Sequence, residues 1–157
     1  MFEHAEIRNL IPHRHPILLV DRVLELQLFE KIVTTKTISG SEPCFARMKD
    51  GLPQRSYAFP MSLIIESFGQ SGALLWRASL KSTGKTQTGT LFFGASREVT
   101  IHRPVYPGDT MRHVCYVDHM IGDNAFLRGE TYVGDEIVAS VGSAIAASRP
   151  EPAEQSA

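Results

Sequence analysis

The chain has 157 residues, 43% of them hydrophobic, with 16 Lys and Arg against 17 Asp and Glu, for a formal charge of −1. That length supports one ordinary core and is short for two. The near-neutral balance excludes a global field that would draw the protein to nucleic acid or anionic lipid, though a local basic patch stays open.

The first stretch, MFEHAEIRNLIPHRHP, is broken by charge and histidine, and no window approaches the ~18 apolar residues of a membrane span. A cytoplasmic protein without membrane contact is expected. Within PHRHP, His13 and His15 read as turn histidines. The runs ILLVDRVLELQLFE (17–30) and KIVTTKTIS (31–39) are β-branched or alternating and read as a hairpin of two strands, the first also compatible with a helix. Asp21 and Arg22 are expected to form a local polar pair. The loop EPCFARMKDGLPQRSYAFP (42–60) follows, and its Arg47, Lys49 and Arg55 are offset only by Asp50.

From Ser62, a plausible N-cap beyond Pro60, apolar residues spread around most of a helical circumference with small residues between them. The pattern predicts a helix of about 20 residues, roughly 30 Å long, ending near Gly84 and buried on almost every side. It carries one lone carboxylate, Glu66. The period then changes to two: 88–103, 110–122, 124–133 and 136–148 read as strands separated by turn signals, including Pro107-Gly108-Asp109 and Gly134-Asp135. Gly94 suggests a bulge or a close backbone approach. His102, His113 and His119 have no metal-ligand spacing and read as surface or interface histidines, and no metal site is expected. Cys44 and Cys115, without C-x-x-C spacing, read as free thiols of a reducing compartment. The final PEPAEQSA (150–157) has no apolar periodicity and reads as a disordered tail, leaving one domain over 1–149.

One long helix apolar all round, followed by an antiparallel meander, is α+β in class, and a helix of that kind must be enclosed. The economical solution wraps the sheet around it. That is the hotdog arrangement.

Four collinear segments carry a specific resemblance: IPHRHPILLVDRVLEL, EPCF, FPMSLIIESFGQSGALL and FFGASREVTIHRPVYPGDTM. Their order and spacing resemble the β-hydroxyacyl-acyl carrier protein dehydratases of type II fatty-acid synthesis, from about Leu10 to Ala147. The resemblance implies an active site made of two half-sites across a dimer interface. One subunit gives a histidine from a Gly-His-Phe-Pro loop and the N–H of a glycine at the helix start; the other gives a helix acid. The division suits the chemistry, because taking an α-proton beside a thioester needs a base, a donor for the enolate oxygen and an acid for the departing hydroxyl.

Glu66 falls on the family's acid and Gln70, one turn later, also matches. The histidine has no counterpart. Anchored on Glu42-Pro43 it falls on Met48, anchored on Pro60 it falls on Leu52, and no histidine lies between His15 and His102. The helix-start glycine is replaced by Met61, whose side chain would crowd a thioester carbonyl approaching the backbone. Both losses are on one half-site. The resemblance also implies an acyl tunnel shaped by Phe93 and Gly94, substrate contacts at Met61 and Gln70, and docking of an acidic acyl carrier protein on Arg47, Lys49 and Arg55. No metal or dissociable cofactor is implied, the substrate being carried on phosphopantetheine.

Three functions fit. The chain is half of a dehydratase, contributing Glu66 to a site shared with a His-bearing homologue and inactive as a homodimer; or a hotdog thioesterase using Glu66 to activate water; or a non-catalytic scaffold or acyl binder. The first is the expectation carried forward, in fatty-acid or polyketide synthesis.

Overall fold

In the computed structural model, residues 2–84, 90–121 and 124–149 are described, without the side chains of 90–94 and 148–149. The expected tail, 150–157, lies outside the described residues. A short helix α1 (His4–Leu10) is followed by β1 (Arg22–Gln27), β2 (Lys31–Thr37), the long helix α2 (Met61–Ser82) and strands β3 (Thr90–Ile101), β4 (Thr110–Ile121), β5 (Asn124–Val133) and β6 (Glu136–Arg149). The strands form one six-stranded antiparallel sheet in the order β1-β2-β4-β5-β6-β3. This is the α+β hotdog architecture expected from the sequence.

Helix α2 has 22 residues, about 33 Å at 1.5 Å per residue. The whole run from Ser67 to Trp76 is buried, so this segment has no solvent face. Sheet and helix approach closely at two glycines. A Cβ on Gly72 would lie 2.3 Å from Leu127 Cδ1, and one on Gly129 would lie 2.1 Å from the Val114 carbonyl and 2.9 Å from Phe68 Cε2. The small residues of the helix are therefore contact points rather than breaks in its pattern. Ile64 packs with Phe45, Phe59, Met111 and Val138 at one end; Phe68, Leu74, Leu75 and Trp76 pack with Ile7, Val23 and Leu127 at the other.

Several expectations need correction. The helix starts at Met61, with Pro60 and not Ser62 at the N-cap: the Pro60 carbonyl accepts from the Leu63 and Ile64 N–H groups at 2.9 and 3.2 Å. Proline needs no N–H there and its φ of −56° already suits the helix. Gly84, at φ +71°, follows the Thr83 cap, as expected of a stop residue. Only part of 17–30 is strand. Ile17–Asp21 crosses the helix as an extended loop whose polar groups bond to helix side chains, which is why its apolar run does not continue β1. Helix α1 was not foreseen; it has seven residues, buries only Ile7 and is held by a Glu3–Glu6 capping box. Asp21 and Arg22 do not pair: Asp21 Oδ2 accepts the Thr37 N–H at 2.7 Å, while Arg22 meets Glu3 at 3.3 Å. Alternating strand direction sends them to different neighbours.

Candidate active site

Glu66 lies one turn inside α2, between Ile64 and Phe68, on the side facing the loop that precedes β1. Two-thirds of its side chain is covered. The cover comes from Gln70 and from His13. Gln70 is 1% exposed and both its amide hydrogens and its oxygen are engaged: Oε1 accepts the Leu19 N–H at 2.8 Å, while Nε2 donates to the Ile17 carbonyl at 2.6 Å and to Glu66 Oε1 at 2.8 Å. These partners fix which end of the amide is oxygen. Gln70, expected to touch substrate, is thus turned inward. It ties the 17–19 loop to the helix and braces the carboxyl.

His13 reaches the same oxygen, with Nε2 3.5 Å from Glu66 Oε1 and a quarter of its side chain exposed. Burial pushes its pKa below the ordinary 6.5 and the Arg14 charge adds to that, against an opposing pull from Glu66. Arg14 itself donates to the carbonyls of Arg8, Ile11 and His13 and so fixes the PHRHP turn. Read from sequence as a turn histidine, His13 stands beside the acid. Spacing gave no sign of it, because 53 residues separate them and only the crossing loop brings them together.

The next residue, Ser67, belongs to a separate buried network. His113 is fully buried, correcting its expected surface position: Nε2 pairs with Ser67 Oγ and Nδ1 with Thr131 Oγ1, both at 2.8 Å, and Ser67 Oγ also donates to the Leu19 carbonyl. An imidazole pairs so well with flanking hydroxyls that burial costs little while it stays neutral. Desolvation accordingly lowers its pKa to about 3. His102 is exposed and meets Ser140 at 3.0 Å, and His119 stacks on Phe126 at 4.2 Å.

At the helix start Met61 is 56% exposed. It borders an open groove of about 440 Å³ lined by Phe59, Pro60, Ile64, His102 and Arg103. No side chain caps the helix there. The preceding loop is anchored at its base by the covered Lys36–Glu42 pair, 2.5 Å apart, and packed from below by Phe45 against Tyr57 and Phe59. Met48 and Leu52 flank its tip at Gly51, itself at φ +78°, and both are exposed. Arg47, Lys49 and Arg55 project from the same loop and form no ion pair with the described residues. Gly94 coincides with a register shift between Phe93 and Ala95 in the β3–β6 ladder; the Phe93 side chain lies outside the described residues. Both cysteines are free, and Cys115, fully buried, is pushed up to about 12. Among the described residues no cluster could hold a metal ion and no helix is long and apolar enough to cross a membrane.

The family model described as ApeP-like, ApeP dehydratase, matches residues 5–155. The chain belongs to this family of dehydratases. Two similar curated proteins are 3-hydroxyacyl-[acyl-carrier-protein] dehydratases FabZ. That of Symbiobacterium thermophilum is 38% identical over 148 residues, covering 92% of this chain and 99% of that one. That of Yersinia pestis is 38% identical over 152 residues, covering 95% and 82%. Among solved structures, a chain of the dehydratase heterocomplex ApeI:P from Xenorhabdus doucetiae superposes with a TM-score of 0.78 at 12% identity, covering 92% of this chain and 91% of that one. At that identity the likeness is one of fold.

Proposed function

We propose that the protein is one subunit of a β-hydroxyacyl-acyl carrier protein dehydratase and supplies Glu66 as the acid of a site completed by a His-bearing homologue. The observation that carries this reading is the asymmetry of its two half-sites. Glu66 is held in place by Gln70 and His13 and keeps one face open, whereas the loop offers only Met48 and Leu52 where a base is needed. The partner's imidazole takes the proton from the α-carbon. As the Cα–H electrons form the double bond, the Cβ–O bond breaks and Glu66 protonates the departing hydroxyl, releasing water and leaving a carboxylate. Proton exchange from imidazolium to Glu66 resets the pair.

Two further features support the assembly. Strand β3 lies at one end of the sheet, and an edge strand is the place where a sheet can continue by pairing with a second subunit. The ApeI:P heterocomplex provides a precedent for a two-chain dehydratase on this fold. Arg47, Lys49 and Arg55 form the docking patch for the acidic acyl carrier protein, with Met61, Phe93 and Gly94 bordering the acyl path. The same assembly can serve fatty-acid or polyketide synthesis.

The test is co-expression with a His-bearing homologue and mass spectrometry of a β-hydroxyacyl-carrier protein incubated with the purified pair. The pair is expected to remove water and this chain alone to be inactive, because general-base assistance worth ~10²- to 10⁴-fold is missing. Glu66→Gln in this chain should abolish turnover with assembly intact, while mutation of the partner's own helix acid should do little. A dispensable Glu66 beside an essential partner acid would make this chain a scaffold.

A further inference from the structure

Glu66 Oε1 is approached from two sides within its own chain, by the Gln70 amide at 2.8 Å and by His13 Nε2 at 3.5 Å. Gln70 cannot turn over, since its other contacts, to Ile17 and Leu19, fix oxygen and nitrogen. Oε1 is therefore permanently an acceptor. The imidazole is constrained as firmly. Its Nδ1 is buried without a hydrogen-bond partner; a proton there would be a buried donor with nothing to receive it, whereas a bare lone pair costs less. Protonating both nitrogens meets the same obstacle, and the neighbouring Arg14 guanidinium opposes it further. Of the charged groups around the ring, only Glu66 favours the cation.

We propose that His13 is a positioning residue for the acid: neutral and carrying its proton on Nε2, it joins Gln70 in occupying Glu66 Oε1, so that the carboxyl's own proton resides on Oε2. The inference rests on Glu66 being the acid of the dehydratase site. A carboxyl free to place its proton on either oxygen would present the departing hydroxyl with the wrong atom part of the time. Here both donors come from the subunit that brings the acid, and the half-site is set before any partner arrives. At 3.5 Å the ring and the carboxyl meet in a long electrostatic contact, weaker than the 2.8 Å bond from Gln70.

The experiment has one arm that needs no partner. In the chain labelled with ¹⁵N-histidine, His13 is expected to be a neutral Nε2–H ring at pH 7, with a ring proton that exchanges faster when Glu66→Leu removes its acceptor. A ring protonated on Nδ1 or on both nitrogens, or a ring proton indifferent to Glu66→Leu, overturns the proposal even if the mixed assembly proves active. In the active assembly, His13→Phe should lower kcat by about ten- to a hundredfold at unchanged KM, the cost of misplacing a reacting group by ~1 Å. His13→Gln, which keeps an N–H near the Nε2 position, should recover most of that loss. Equal kcat in wild type and His13→Phe also overturns it. An inactive wild-type pair would refute the shared site while the ring measurements still decided the place of His13.

Discussion

Glu66 and Ser67 are consecutive residues of α2, and each meets a histidine from a distant part of the chain. The Ser67 partner, His113, has no exposed surface and both ring nitrogens matched to hydroxyls. The Glu66 partner, His13, keeps a quarter of its side chain in solvent, one nitrogen unmatched and the other facing the Glu66 carboxyl. The first pair is closed and its neutral state is part of the fold. The second is left incomplete, at the place where the proposed shared site would need a donor. A helix rotation of about 100° per residue suffices to separate the two roles.

The largest expected effect concerns the closed pair. His113 has a folded-state pKa of about 3 against 6.5 when unfolded, so between these values the unfolded chain binds the extra proton. Stability is therefore fully present above pH 6.5 and lost as pH falls towards 3, on the order of 5 kcal/mol from this residue. Urea unfolding from about pH 6.5 down to pH 4 should show the loss. His113→Gln should be less steep by up to one proton, about 1.4 kcal/mol per pH unit. Equal slopes would show that the imidazole is not held neutral.

The Phe68 ring packs edge-on against His113, with centroids 6.3 Å apart, and Gly129 makes room beside it. Gly129→Ala places a methyl against the Val114 carbonyl, backbone that cannot swing aside. The expected cost is about 3 kcal/mol, read as a lower urea midpoint at unchanged slope. Gly72→Ala should cost less, because its nearest obstacle is the far end of the Leu127 side chain.

This interior was largely legible in the sequence, the mouth much less so. Period-two runs mark β3 to β6, most plainly β5, where buried positions alternate with less covered ones, and small residues among apolar ones mark a helix enclosed by its sheet. Glu66 stood out as a lone acid in that helix. His13 did not, since its contact with Glu66 depends on how the 17–19 loop is pinned by a buried glutamine, and hydrogen bonds between distant residues leave no periodic trace. His113 was misread for a related reason. A histidine on an alternating strand is polar by type, and only Ser67 and Thr131 on opposing elements make its burial tolerable. Gln70 illustrates the converse: the resemblance located it, but three bonds within its own chain decide which way it faces.

On the mouth side the next effect is at the loop base. Lys36 is 7% exposed, with Glu42 at 2.5 Å and Asp21 only at 3.9 Å. Glu42→Gln leaves a covered ammonium without a close counter-charge, and a loss of about 2 kcal/mol is expected, measured by thermal unfolding. The same change frees the base of the loop that carries Arg47, Lys49 and Arg55. Carrier-protein binding should weaken along with stability, whereas Arg47→Ala should weaken binding alone.

The smallest expected effect on stability is also the one that separates the two histidines most sharply. His13 contributes no fully formed hydrogen bond from its ring, its Nδ1 has no partner to strand, and part of the ring is already in water, so His13→Phe removes little that the fold uses. A change under ~1 kcal/mol is expected by urea unfolding at neutral pH. His113→Phe strands the Thr131 hydroxyl and one side of Ser67 in the core, at a cost of about 1–3 kcal/mol for each group left unsatisfied. The two substitutions are chemically identical, so the comparison isolates the surroundings. If His13→Phe proves as destabilising as His113→Phe, the ring at the mouth is as much a part of the core as the ring inside it. A loss of turnover at position 13 would then report unfolding rather than a misplaced acid. If stability is kept while turnover falls, the open pair is open because the chemistry requires it.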